Sequence, residues 1–187
     1  MSGVWGTSIQ NLGLGLPSQV LASPTASILL PIALGSAVGW SISPSLTRKT
    51  YLSLRQPPLR PPSWIFGPVW TILYGTMGYA IHHAHTTSSH LPSFPATSTL
   101  YTTQLALNLI WTPLFFGIEK PAWAVVDILA LGGNLAALTY NYFAMGDEIA
   151  GWCMVPYLAW ISFATYLNIS VGVLNGWEIS SKREKAE

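Results

Sequence analysis

Three long stretches of the chain contain no Asp, Glu, Lys or Arg, and they limit the possible folds more than any other feature. They cover residues 1–47, 61–118 and 149–177. Only 8% of the 187 residues are charged, against about a quarter in soluble domains, so the chain cannot build a water-soluble surface. A helix crosses a bilayer core of about 30 Å with roughly 20 apolar residues. The three stretches therefore predict one, two and one spans, and residues 122–144 predict a fifth.

Polar, glycine-rich and proline-rich clusters interrupt the apolar runs at residues 43–63, 86–95, 117–121 and 146–149. Such clusters mark the points where a chain leaves a regular element. The strands of a membrane barrel alternate apolar with polar residues, whereas these runs are apolar on every side. We therefore predict an all-α membrane protein, a bundle of five transmembrane helices.

The predicted organisation has three parts. Residues 1–25 form an N-terminal tail, residues 26–176 form the five-helix transmembrane domain, and residues 177–187 form a C-terminal tail. The predicted helices lie near residues 26–46, 65–85, 97–117, 122–144 and 149–176.

The basic residues predict the orientation, because the positive-inside rule places them on the cytoplasmic side. Five spans bring the first loop, the third loop and the C-terminal tail to one face of the membrane. All eight Lys and Arg residues lie in these segments, at Arg48, Lys49, Arg55, Arg60, Lys120, Lys182, Arg183 and Lys185. We therefore expect the first loop and the C-terminus to face the cytosol.

The sequence contains no pattern typical of an enzyme or a metal site. It has no phosphate-binding glycine loop, no metal-ligand cluster and no nucleophile elbow, and Cys153 lies in an apolar span where a buried thiol is expected. The histidines at 82, 83 and 85 read as interfacial residues rather than metal ligands. We predict no catalytic residue, no metal site, no required cofactor and no nucleic-acid partner.

Aromatic and polar residues of four spans converge at one depth near the predicted cytosolic face. Trp70 and Asp127 lie about 7 to 8 Å inside their spans, and Trp40 and Trp111 lie about 9 Å before the ends of theirs. Indoles at this depth either line a pocket or only pack helices together, and the sequence leaves both possibilities open.

Three polar side chains inside the spans can be explained by structure or by function. Gln104 and Asn108 are four residues apart on one helix face and should either bond a neighbouring helix or contact a ligand, since an unsatisfied amide in hydrocarbon is costly. Asp127 is a site candidate because an acid inside a span is usually functional. Its structural alternative is to accept a hydrogen bond from an indole or to pair with Arg55 or Arg60 of the first loop.

A series of motifs runs in order along the chain. It comprises Tyr51–Leu54, the string PPSWIFGPVW at residues 61–70, Gln104–Asn108 with Trp111, Trp123 with Asp127, and Pro156–Trp160 followed by Phe163, Ala164, Leu167 and Asn168. The series covers residues 31 to 175 and resembles the translocator protein family, also called TspO/MBR or peripheral-type benzodiazepine receptor.

The resemblance implies a five-helix bundle that binds flat or rigid hydrophobic molecules in a cavity capped by the first loop. Such molecules include porphyrins, sterols and synthetic benzodiazepine-site ligands. It assigns ligand-binding roles to Phe66, Gly67, Val69, Trp70, Asn108, Trp123, Asp127, Trp160, Ala164 and Leu167, with Gln104 and Trp111 as plausible additions.

The expected ligand is a porphyrin or haem precursor rather than a sterol. Residues 168–174 (NISVGVL) lack the Tyr and Arg of the cholesterol motif proposed for vertebrate members. Binding and transport is the favoured function. The alternative is enzyme-like, light-dependent degradation of bound porphyrin by pocket tryptophans, as the resemblance to some family members suggests.

The expected partners are membrane lipid, a tetrapyrrole or sterol ligand, and a second copy in a possible homodimer. Gly35 and Gly39 form a small-xxx-small pair that permits close helix contact within or between protomers. For a eukaryotic protein the resemblance implies the mitochondrial outer membrane or the endoplasmic reticulum.

Overall fold

The computed structural model describes residues 13–42 and 44–177, and within them the chain is helical with no strand, which confirms the all-α prediction. The helices are α1 (Ser18–Ala22), α2 (Pro24–Ser41), α3 (Pro44–Ser53), α4 (Phe66–Ser88), α5 (Phe94–Thr112), α6 (Pro121–Ala144) and α7 (Glu148–Asn175). A 3-10 turn covers Ser63–Ile65, and a π-helical turn covers Pro113–Gly117. Residues 1–12 of the predicted N-terminal tail, and residues 178–187 with Lys182, Arg183 and Lys185, lie outside the described residues.

The predicted helix at residues 26–46 is two helices. Helix α2 ends at Ser41, and α3 begins at Pro44. A proline lacks the backbone N–H that a continuing helix needs, and its ring clashes with the preceding turn, but both properties suit the first position of a helix. The first loop, predicted at residues 43–63, therefore contains α3 and a following irregular segment, residues 54–62, which we call the cap segment.

Another proline changes the end of α5. Because Pro113 has no N–H, the regular hydrogen-bond ladder is interrupted there, and the Ile118 N–H donates to the Pro113 carbonyl at 2.9 Å, five residues back. Single wide turns of this kind are rare and are frequently found at functional sites. Here the wide turn follows Trp111 and carries Phe115, whose ring is buried.

The long helices pack in the order α2, α4, α7, α6, α5 around the bundle, and α5 returns to α2. Their shared core contains fully buried side chains from α4, α6 and α7, among them Met77, Ile81, Leu135, Leu138 and Met154. In lipid such contacts stabilise through close packing and hydrogen bonding, since the hydrocarbon is as apolar as the side chains.

Two glycines allow α2 and α4 to approach closely. A Cβ atom at Gly78 would clash with the Ser27 carbonyl and with the backbone of Ile28, and one at Gly35 would clash with the Tyr74 ring. By contrast, a Cβ at Gly39 would meet nothing within 4 Å. In the small-xxx-small pair of Gly35 and Gly39, Gly35 therefore allows a helix contact within the protomer.

Three described helices are long and apolar enough to cross a membrane, namely α2, α6 and α7. Helices α4 and α5 do not reach that hydropathy. Helix α4 ends with three histidines and two threonines, and α5 begins with a run of Thr and Ser and contains Gln104 and Asn108.

Candidate functional site

Aromatic rings from α4 and α7 meet near the start of α4. The Trp70 ring lies 5.4 Å from the ring of Tyr74 and 6.0 Å from that of Tyr157, and the Phe66 ring lies 5.9 Å from that of Trp160. Separations of this size, tilted or edge-to-face, are the favoured geometry of aromatic pairs. The structure therefore brings together Phe66, Trp70 and Trp160, which were predicted to share a site.

Below these rings, a hydrogen-bonded chain joins three helices. The Tyr74 hydroxyl donates to Asn108 Oδ1 at 2.5 Å, and Asn108 Nδ2 donates to the Tyr157 hydroxyl at 2.7 Å. We call Tyr74, Asn108 and Tyr157 the Tyr–Asn–Tyr chain. All three side chains are buried, so the chain ties α4, α5 and α7 together just below the indole rings.

The two tyrosines of this chain were not predicted as site residues. Tyr74 follows Trp70 by four residues and Tyr157 precedes Trp160 by three, so each lies on the same helix face as a predicted indole. This spacing could have indicated from the sequence that both tyrosines lie at the site.

Several polar atoms near the site are buried without a hydrogen-bond partner among the described residues. They are Gln104 Oε1, Asp127 Oδ2 and Trp160 Nε1, from three different helices. The Gln104 amide donates only to the Met77 sulfur, at 3.5 Å. Leaving such a group unpaired costs about 1–3 kcal/mol, so each atom is a candidate contact for a bound molecule.

Trp111 is held by a different network. Its indole N–H donates to Asn168 Oδ1 at 2.9 Å, and Asn168 Nδ2 donates to the Pro121 carbonyl at 3.3 Å. The Trp111 ring also stacks on Phe115 with 5.1 Å between centroids. Asn168 thus links α5, α6 and α7, and Trp111 lies between the main core and the smaller cluster around Phe115.

Trp123 points away from the other predicted site residues, with 64% of its surface exposed, and Trp40 is 80% exposed. The buried face of α6 contains Ala124, Ile128 and Leu131. At about 100° per residue, Trp123 lies about 100° from Ala124 around the helix. Although Trp123 lies four residues before Asp127 on α6, the Trp123 indole does not reach the site in this structure.

Asp127 is buried at the edge of the same helix face. The pair with Arg55 or Arg60, considered as a structural alternative, is not formed in the described part of the chain, where no ion pair joins Asp127 to either residue. The backbone of Arg55 is instead held at the end of α7.

The remaining predicted residues surround these groups. Val69 and Ala164 are half-buried and pack against the main core, Leu167 is half-buried, and Gly67 is exposed in the first turn of α4.

The cap segment lies over the ends of α4 and α7. The Tyr51 hydroxyl donates to the Pro61 carbonyl at 2.8 Å, and the Tyr51 ring lies 5.8 Å from the Phe66 ring. The Tyr166 hydroxyl donates to the Pro58 carbonyl at 3.1 Å. The first loop therefore lies against Phe66 at the start of α4 and against α7.

Two cavities occur at the opposite end of the bundle. One, of about 510 Å³, lies between the end of α4 and the start of α7, and the other, of about 260 Å³, lies between α1 and α5. None of the twelve predicted site residues lines either cavity. At the candidate site, the rings of Trp70 and Trp160 instead contact Tyr74, Tyr157 and Phe66.

The histidines at this opposite end form interhelical bonds. Asp147 caps α7 by accepting from the Ala150 N–H at 2.9 Å, and it also accepts from Thr87 and pairs with His83 at 2.9 Å. His82 Nδ1 lies 2.8 Å from the Leu21 carbonyl. In the described residues no group of His, Cys, Asp and Glu has metal-binding geometry.

Comparison with known proteins gives the family. The model of the TspO/MBR family matches residues 27–174. The translocator protein homolog of Schizosaccharomyces pombe is 40% identical over 149 residues, 79% of this chain and 88% of that protein. The translocator protein of Homo sapiens is 37% identical over 159 residues, 82% of this chain and 92% of that protein.

The likeness extends to archaea. The tryptophan-rich protein TspO of Archaeoglobus fulgidus is 35% identical over 150 residues, 80% of this chain and 95% of that protein. The match covers all five long helices and both networks that join them. The chain therefore belongs to the TspO/MBR family, and it is an integral membrane protein.

Proposed function

We propose that this protein binds and transports flat hydrophobic molecules, with tetrapyrroles preferred over sterols, at the aromatic cluster beneath the cap segment. Transport agrees with the name translocator that the human and fission-yeast relatives carry. A binding site at this place needs only that the helices separate enough to admit a flat ring between Trp70 and Trp160.

The observation that carries the proposal is the meeting of Phe66, Trp70 and Trp160 above the Tyr–Asn–Tyr chain. A rigid conjugated ring gains stacking and dispersion from such walls while it orders few rotatable bonds. The unpartnered Trp160 N–H offers a hydrogen bond that a ring substituent can accept. Arg55 and Arg60 in the cap segment supply positive charge for ligand carboxylates.

Sterol binding has weaker support. Asn168 occupies the region of the proposed cholesterol motif, but its side chain already bonds Trp111 and Pro121 and is therefore structural. The one formal match to such a motif, Leu46, Tyr51 and Arg55, lies in the first loop, and patterns of this kind are weak.

We further propose that α4 and α5 also cross the membrane, which makes five spans. Their polar residues Thr97, Gln104 and Asn108 are buried within the bundle, so a mean hydropathy understates how apolar their lipid-facing sides are. Five spans place the first loop and the C-terminus together, facing the cytosol by the positive-inside rule. For a eukaryotic protein we propose the mitochondrial outer membrane or the endoplasmic reticulum as its location, and a homodimer as its assembly.

The test is a titration of the protein in detergent with protoporphyrin, followed by tryptophan quenching and fitted to a dissociation constant. An aromatic contact is worth about 0.5–1.5 kcal/mol, so Trp70→Phe and Trp160→Phe should each raise the Kd about 2- to 10-fold. The matched control is Trp152→Phe, because Trp152 is exposed near the other end of α7. An unchanged Kd in both site variants, or an equal change in the control, contradicts the proposed site.

Light-dependent degradation of bound porphyrin is the second candidate, and the proximity of two indoles to the proposed ligand position favours it. The test is illumination of the porphyrin complex in air, with separation of the products. Degradation should be lost in the Trp70→Phe, Trp160→Phe double variant under conditions where porphyrin still binds. Equal product from free porphyrin and from the complex excludes it.

A further inference from the structure

The side chain of Asn175, the last residue of α7, holds the cap segment through hydrogen bonds to the backbone of Arg55. Its Oδ1 accepts from the Arg55 N–H at 3.0 Å, and its Nδ2 donates to the Arg55 carbonyl at 2.9 Å. The same Nδ2 donates to the Val171 carbonyl at 2.8 Å within α7. A neutral amide offers one acceptor and two N–H donors, and all of these functions are used at this one place.

The arrangement requires an asparagine. An aspartate keeps the acceptor but loses both donors, and a leucine, which has the same branched skeleton, loses every bond. Because both contacts are to the backbone of Arg55, the grip on the cap segment does not depend on which side chain stands at position 55. Asn175 is buried, with only 5% of the residue exposed, so water cannot readily replace these bonds without local opening.

The end of α7 that carries this amide is itself fixed. Gly176 adopts a left-handed conformation with φ of 67°, and the Trp177 N–H donates to the Gly172 carbonyl at 2.8 Å. This is the hydrogen bond of a Schellman cap, which closes a helix end. The Trp177 ring packs against Gly172, where a Cβ would clash with it. Asn175 is thus anchored on a rigid support.

Two neighbouring contacts belong to the same attachment. Leu54, directly before Arg55, is buried against the cluster that contains Phe115 and Val171. On the same helix as Asn175, nine residues earlier, the Tyr166 hydroxyl donates to the Pro58 carbonyl. The cap segment is therefore hydrogen-bonded to α7 at two points, one through a buried amide and one through an exposed hydroxyl, and Leu54 adds an apolar contact.

We infer that Asn175 is a positioning residue that keeps the cap segment closed over the site and thereby sets how long a bound ligand stays. The inference rests on the proposed function for its ligand and on the contacts above for its mechanism. We take the opening of the cap segment as the exit route for a ligand beneath it. Loss of the Asn175 bonds should therefore raise the dissociation rate more than it changes the association rate.

The first measurement needs no ligand. Hydrogen–deuterium exchange of the peptide that contains Arg55 reports the opening of the cap segment directly. In Asn175→Leu, exchange at Arg55 should be about tenfold faster, since two net hydrogen bonds are lost. Tyr166→Phe removes one exposed hydroxyl and leaves the fold intact, and it should accelerate exchange around Pro58 by a smaller factor of about two- to threefold.

The second measurement is the dissociation rate of protoporphyrin from the same proteins by stopped flow. We expect a rate about fivefold to tenfold higher in Asn175→Leu than in the wild type. The matched control is Asn134→Leu, which removes an amide that donates to the Leu100 carbonyl between α5 and α6, away from the cap segment. It should change neither the exchange at Arg55 nor the dissociation rate.

The outcomes separate this inference from the proposed function. Unchanged exchange at Arg55 in Asn175→Leu overturns the role of the amide, and faster exchange with an unchanged dissociation rate overturns the link to ligand residence. If the wild type shows no saturable protoporphyrin binding, the proposed function fails, whereas the exchange data still decide whether Asn175 holds the cap segment closed.

Discussion

The substitution Asn108→Leu tests whether the Tyr–Asn–Tyr chain holds the bundle together. Leucine keeps the branched side-chain skeleton of asparagine, although its two methyl groups are bulkier than the amide, and the change removes two hydrogen bonds. Bonds between membrane helices are worth about 0.6 kcal/mol on average and about 1.7 kcal/mol at most. Both bonds here are short and buried, at 2.5 and 2.7 Å, so we expect a loss of about 2 kcal/mol in the free energy of unfolding, which includes the cost of two orphaned phenols.

The assay is equilibrium unfolding in mixed detergent micelles, followed by circular dichroism. A double-mutant cycle isolates the bond, because Tyr74→Phe removes only the hydroxyl that donates to Asn108. Once Tyr74→Phe is present, Asn108→Leu should cost about 1 kcal/mol less than it does in the wild type. Asn134→Leu is again the control and should show no coupling to Tyr74→Phe.

Additive effects in this cycle would refute the reasoning, because residues that share a bond must couple. A loss below about 0.5 kcal/mol in Asn108→Leu alone would do the same, since the unpaired phenols alone should cost more.

Further changes test the helix contacts by thermal unfolding in detergent. Gly78→Ala should destabilise by about 1–3 kcal/mol because its Cβ clashes with the Ser27 carbonyl, whereas Gly75→Ala, three residues away and with nothing within 4 Å, should be neutral or slightly stabilising. Equal melting temperatures for these two variants would count against the α2–α4 packing. Gly176→Ala should cost about 1 kcal/mol, because alanine is strained at its φ of 67°. Asp147→Ala should cost about 1–3 kcal/mol, since it removes the cap of α7 and a partner of two side chains on α4; a variant as stable as the wild type would contradict that role.

The long helices could be predicted from the sequence because their signal is local. The apolar runs and their polar breaks locate α6 and α7 within one residue of the observed ends at 121–144 and 148–175. The end of α2 was predicted five residues too late because the charge-free run continues past Pro44, and only the proline itself indicated the break.

The faces of these helices were harder to predict. A helix that is apolar all round does not show which side meets its neighbours, so Trp123 was assigned to the site although its indole points outward. The tyrosines at 74 and 157 were not predicted as site residues, and only their shared partner on a third helix shows their role.

Contacts between distant segments could not be predicted at all. The bonds between Arg55 and Asn175 join residues 120 positions apart, and no spacing rule connects a loop to the last residue of the final helix. The same holds for the pairing of His83 with Asp147 across 64 positions.

The bonds that attach the cap segment to α7 come from an uncharged amide and a phenol, although the segment itself carries Arg55 and Arg60. Dissolved ions screen the attraction between exposed charges over about 10 Å at 0.1 M, but they leave hydrogen bonds between neutral groups nearly untouched. Added salt should therefore slow the arrival of an acidic porphyrin and have little effect on its escape. Capture and retention are thus governed by different forces within one short stretch of chain.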